Sequence, residues 1–185
     1  MEIMLLYQRM KRLILNTDDA WEAVKAEDAA TPDILREVVL RMAVIPALAH
    51  FLGWWVIVGF WSSLSRAVVL YGLSILAVWA TAKIIALLGG QLGIEEDGDK
   101  TFRLAAFGFA PYFIAGVCYI VPPFMLFVPV GGMFGFYLLR RGIPIILEIP
   151  REKSASTALL VSCAMFLMFL IIGRITGGVL WPHKP

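Results

Sequence analysis

None of the long apolar runs in this sequence contains an aspartate or a glutamate, which removes the carboxylate relays typical of proton-coupled transporters. Histidine is almost as scarce. His50 and His183 are the only two, and neither has a serine, cysteine or acid at a spacing that suggests a catalytic triad. Cysteine is limited to Cys118 and Cys163, both within apolar runs, so neither a disulfide framework nor a zinc site of ordinary spacing is available. No catalytic residue, metal, cofactor or nucleic-acid partner is therefore expected. A cleavable leader is not evident either, because the apolar stretch Ile3 to Leu15 is broken by Arg9, Lys11 and Arg12 and lacks a small-residue cleavage site. Insertion is expected to rely on the later spans.

What the sequence does have is oil. Of its 185 residues, 60% are hydrophobic and the mean hydropathy is +0.81, more apolar side chain than one soluble core of this size can hide. Several segments are apolar on every face, whereas a soluble bundle needs a polar stripe on each helix. The reading is an all-α membrane protein: a polytopic bundle of about five transmembrane helices behind an N-terminal amphipathic, interfacial segment over residues 1–38.

Within that segment, Ile3, Leu6, Met10, Leu13 and Ile14 share one helical face, with Arg9, Lys11 and Arg12 mostly away from it. A basic helix in the headgroup layer and a plain bundle-packing helix both fit this pattern. Asn16 to Asp19 reads as a cap and helix start, with Trp21 a candidate interfacial anchor. Thr31, Pro32 and Asp33 form a second start: a capping hydroxyl, a proline at the first helical position and an acid in the first turn.

The transmembrane domain is expected over residues 39–178, with spans near 42–61, 67–90, 104–121, 124–139 and 154–173, and a short tail at 179–185. Pro46 should kink the first span. Ser62 to Arg66 reads as the turn to the second, and Gln91 to Arg103 as a solvated loop whose acids lack the EF-hand order. From Leu104 to Leu139 there is no charged side chain. A straight helix of that length would reach about 54 Å, well beyond the bilayer core, so the run must fold back. Pro122 and Pro123 supply the turn, with Pro111 and Pro129 weakening the arms. Arg140 and Arg141 close the fourth span, and Ile143 to Glu148 reads as an interfacial connector.

Basic residues set the orientation. With five spans, the N-terminal segment, the loop after the second span and the connector share one side and hold twelve lysines and arginines, against three on the other. That bias places the N-terminus in the cytoplasm and the C-terminus outside. Lys83 and His50 are the intramembrane candidates, read as lying about 10 and 14 Å deep from the cytoplasmic side. Two basic groups without an acid suit an anionic lipid headgroup or other ligand; alternatively, Lys83 snorkels and His50 bonds a backbone carbonyl. Arg140 and Arg141 are further candidate contacts for anionic lipid. Gly131, Gly132 and Gly135, which include a GxxxG pair, mark helix packing or a homo-oligomer interface, and Gly89 and Gly90 are further packing positions.

Taken in order, NTDDAWEAV, VVLRMAVIPALA, AKIIALLGG, FRLAAFGFAPYFIAGV and GGMFGFYLLRRGIPIILEIPREKS resemble the Yip family, the Ypt/Rab-interacting membrane proteins and their bacterial relatives. The resemblance covers roughly residues 16 to 173. It implies a five-helix membrane domain with a cytoplasmic N-terminus, and eukaryotic members look like vesicle-traffic adaptors that contact small GTPases and one another. The short segment before the first span makes this chain similar to the bacterial members. The expected function is a non-enzymatic scaffold or adaptor in the inner membrane, with the bilayer, anionic lipids and other membrane proteins as partners. The rival is a transporter or lipid-moving protein built around Lys83 and His50.

Overall fold

The computed structural model describes residues 8, 12, 16–27, 29–91 and 97–178. Apart from Gln8 and Arg12, the basic helix expected over residues 1–15 lies outside them, as do the tail at 179–185 and residues 92–96 of the acidic loop. The described residues form six helices and no strand. They are α1 (Thr17–Ala26), α2 (Thr31–Val58), α3 (Phe60–Gln91), α4 (Gly98–Ile120), α5 (Pro122–Ile146) and α6 (Arg151–Gly178). Helices α2 to α5 are each long and apolar enough to cross a bilayer, and α6 carries a shorter apolar stretch over Ser156–Met168. This is an all-α membrane protein.

Helix α4 is the axis of the bundle. Every residue from Thr101 to Phe113 is buried, because α2, α3 and α5 pack around it while α6 closes against α3 and α5. The small side chains Ala105, Ala106, Gly108 and Ala110 allow this approach, since lipid-embedded helices associate through close packing rather than through exclusion of water.

The boundaries follow local chemistry, and several differ from expectation. Thr31 does not cap its own helix. Its backbone N–H and its hydroxyl both donate to Asp99 Oδ1, at 2.9 and 2.5 Å, so a carboxylate from α4 supplies the acceptor. Asp97 caps α4 in turn, its Oδ1 accepting from the N–H groups of Asp99 and Lys100 at 3.0 and 3.1 Å. The polar loop thus ends at Asp97, and Lys100 to Arg103 are helix.

Between α2 and α3 the reversal takes one residue, not the expected Ser62 to Arg66. Gly59 sits at φ 85°, a backbone open to glycine and costly for other residues, and its carbonyl already accepts the Ser63 N–H at 3.0 Å. Ser62 to Arg66 therefore form the first turns of α3. Pro46 is buried within α2 opposite Gly116, where an added Cβ would stand 2.5 Å from the proline Cβ.

Val121 is extended and Pro122 and Pro123 open α5, so the charge-free run folds back at the proline pair. Pro111 follows a local break at Phe109 inside α4. Helix α5 does not stop at Arg140 and Arg141 but continues to Ile146, through most of the expected connector and across Pro144.

Candidate functional site

Ten residues are too few for a helix to persist alone in water, yet α1 is firmly placed because one face of it is buried. Ala20, Trp21 and Val24 pack onto α5. Trp21 is 0% exposed, and its indole Nε1–H donates to the Leu138 carbonyl at 3.1 Å. The ring also meets Phe107 edge to face at 6.2 Å. Its seat exists because residue 142 is glycine: a Cβ there would lie 2.5 Å from the indole Cε2. Trp21 is thus a core anchor and not the interfacial residue expected from its polar surroundings.

The far end of α1 is held by Arg103, which is 2% exposed. Its guanidinium donates to the carbonyls of Val24 and Lys25, both at 3.3 Å, and of Ala29 at 2.9 Å. A cation is favoured there, since the carbonyls of a helix C-terminus carry partial negative charge.

Two ion pairs complete the attachment. Arg141 reaches Asp18 at 2.9 Å while stacking over Tyr137, with its Cζ 5.7 Å from the ring centroid. Lys25 meets Glu148 at 2.7 Å. The hydrogen bond between them, and then their opposite charges, raise the Lys25 ammonium above its ordinary range and lower the Glu148 carboxyl below its own. Both groups face water, so the pair orients α1 more than it stabilises it.

Between α1 and the last turns of α5 lies a cleft of about 620 Å³, whose charged lining is Asp18, Glu22, Lys25, Arg140, Arg141 and Glu148. Arg140 is exposed and makes no ion pair among the described residues. The charged lining is balanced, three acids against three bases: Asp18 pairs with Arg141 and Glu148 with Lys25, while Glu22 and Arg140 stand outside those two pairs.

The remaining sequence candidates are scattered. Lys83 is exposed on the outer side of α3, about 35 Å along the helix from Phe60 by helical rise, whereas His50 is buried about 12 Å from the same turn in α2. The two do not share a site. Their depths looked alike because the first span was counted from Arg41, whereas the helix starts at Thr31. Gly131 and Gly135 face α4, where a Cβ on Gly135 would lie 2.5 Å from the Gly108 carbonyl oxygen. Gly132 is buried beside them, and Gly89 is buried while Gly90 is exposed.

The family model for the Yip1 domain matches residues 11–173, which takes in α1 to α5 and most of α6. The chain belongs to the Yip1-domain family. Comparison with curated proteins and with solved structures finds no match. Within this Yip1 domain the residues that sequence reading missed are Arg103, counted as loop charge, and Arg66, counted as turn. Each had a signal in its flanks: Phe102 and Leu104 bracket Arg103, and an apolar run begins at Ala67 beside Arg66.

Proposed function

We propose that this Yip1-domain protein is a non-enzymatic membrane scaffold or adaptor, set in the inner membrane with its N-terminus and the α1–α5 cleft on the cytoplasmic side. The observation that carries the reading is the way α1 is fastened. A ten-residue helix is locked across the end of α5 by a buried tryptophan, a buried arginine and two ion pairs, and the charged cleft beside it leaves Arg140 unengaged. Such a platform presents fixed charge at the headgroup level. Each basic group near an anionic leaflet adds about 1 kcal/mol of attraction, and Arg140, with Arg36 and Arg41 on α2, provides that charge here. The twelve-to-three distribution of basic residues supports the cytoplasmic assignment.

Photo-crosslinking from position 22 of the full chain in its own membrane tests the proposal. The expected product is an adduct with an anionic lipid or a second membrane protein, strongly reduced by Arg140→Glu. A cleft that yields neither adduct, or yields them equally in that variant, refutes the assignment.

A further inference from the structure

Deeper along α5 than the charged cleft lies a second cavity of opposite character. It is a groove of about 440 Å³ between α5 and α6, walled by Gly132, Met133 and Phe136 on one side and by Leu159, Cys163 and Phe166 on the other. Small-molecule pockets run from about 300 to 1,000 Å³, so the groove is large enough to hold a ligand. Its walls have almost nothing to bond. Among the described residues that line it Ser162 carries the one hydroxyl, which already donates to the Ala158 carbonyl, and a thiol is a weak donor. The occupant must therefore be apolar, and the bilayer around these spans supplies acyl chain.

The two cavities are joined along one face of α5. Met133, Tyr137, Arg140 and Pro144 follow the i, i+4, i+7 spacing of a single helical stripe, and Met133 lines the groove while the other three line the cleft. By helical rise the groove begins about 6 Å below Arg140, at Phe136, and reaches about 12 Å below it, at Gly132. Along α6 it runs from Leu159 to Leu167, again about 12 Å. That is close to the roughly 15 Å that one leaflet gives to a hydrocarbon core of about 30 Å. A chain lying in the groove thus ends at headgroup level beside Arg140. Charge favours the same arrangement. Arg141 and Lys25 have their carboxylates, and Glu22, one turn from Lys25 on α1, adds its charge to that pair. Arg140, the cleft cation on the groove's stripe, makes no ion pair among the described residues. A guanidinium is well matched to phosphate, which it can grip through two parallel hydrogen bonds.

We infer that one anionic phospholipid of the cytoplasmic leaflet occupies both cavities, with its phosphate on Arg140 and one acyl chain in the α5–α6 groove. The inference rests on the proposed reading of the cleft as a cytoplasmic, headgroup-level site, and it names the ligand of that site. Head and tail are held as a unit. Removing the arginine should therefore empty a groove that lies about 6–12 Å away from it.

The test uses the full chain in phosphatidylcholine nanodiscs that carry, as a minor component, phosphatidylglycerol with a photoactivatable group midway along one acyl chain. Adduct sites are mapped by peptide mass spectrometry. Label should concentrate on residues 132–136 and 159–167 over the exposed positions Leu76 and Leu87 of α3. Arg140→Gln should cut that enrichment about tenfold, as loss of a charge-assisted hydrogen bond does, whereas Arg140→Lys should keep part of it and Lys83→Gln should leave it unchanged. Cys163→Trp, which fills the groove from an exposed position, should remove the groove label while a lipid adduct still forms from a crosslinker at position 22. Label spread evenly over the lipid-facing helices, or groove label unaltered in Arg140→Gln, overturns the inference, and leaves the cleft reading in place if position 22 still crosslinks. Chain-to-chain adducts from a crosslinker at position 163, in place of lipid, would give the groove to a second copy and overturn it as well. A parent that yields no adduct from position 22 refutes the cleft reading itself, and this inference with it.

Discussion

Trp21→Ala should release α1 from the bundle while leaving the membrane helices assembled. The indole is fully enclosed and makes one hydrogen bond, to Leu138. An aromatic side chain that buries roughly 150–250 Å² is worth about 4–6 kcal/mol at about 25 cal/mol/Å², an upper bound because the undocked helix would hide part of that area anyway. Measured large-to-small replacements give about 3–5 kcal/mol, and the indole hydrogen bond adds about 1 kcal/mol. Against this, the ion pairs at Arg141 and Lys25 are exposed and hold little by themselves. A loss of about 3–4 kcal/mol corresponds to a rise of roughly 10²–10³ in the local opening constant. Amide hydrogen exchange over residues 17–26 of the full chain in a nanodisc should accelerate by that factor, with little change in α4. Trp21→Phe should fall between, because it keeps most of the packing and loses the donor to Leu138. Unchanged exchange in the alanine variant would show that α1 is not held by its tryptophan.

Gly142→Val should act from the other side of the same contact, pushing into the indole at a cost of about 1–3 kcal/mol and again accelerating exchange in α1. Arg103→Met removes the donor to three carbonyls and should cost about 2–4 kcal/mol, read as a lower Tm and early exchange at residues 24–29. The Lys25–Glu148 pair gives α1 two pH limits. Its contribution through Glu148 is complete above that residue's ordinary 4.5 and is lost as pH falls through the lowered native value. Its contribution through Lys25 is complete below 10.5 and is lost as pH rises through the raised native value. Crosslinking of cysteines placed on α1 and α5 should thus decline at both extremes, and Glu148→Gln should remove the acid limb. Gly135→Leu should separate α5 from α4 by collision with the Gly108 carbonyl, seen as loss of the folded peak in detergent chromatography.

Much of the fold was legible because its signals are strong and local. Apolar runs of membrane length, the reversal at Pro122 and the Thr-Pro-Asp helix start needed no tertiary information. The residues that organise the site were less legible because their partners are far away in sequence. Trp21 bonds position 138, Arg103 bonds positions 24 to 29, and the acceptor for Thr31 comes from Asp99. Arg66 looked like turn chemistry because nothing in its neighbourhood shows that one glycine is enough to reverse the chain. Lys83 drew attention as an isolated charge, and it lies on an exposed face that a lysine stem can follow toward the headgroups.

The enclosure of α4 has a consequence for how the protein is made. A helix sheathed over Thr101 to Phe113 by its neighbours needs partners on either side of it in the order of synthesis: α2 and α3 precede it, but α5 emerges later. During co-translational insertion α4 must therefore wait, one flank bare to lipid, until the segment behind it arrives. A chain ended after Ile120 would leave that flank uncovered and should be a preferred substrate for membrane quality control.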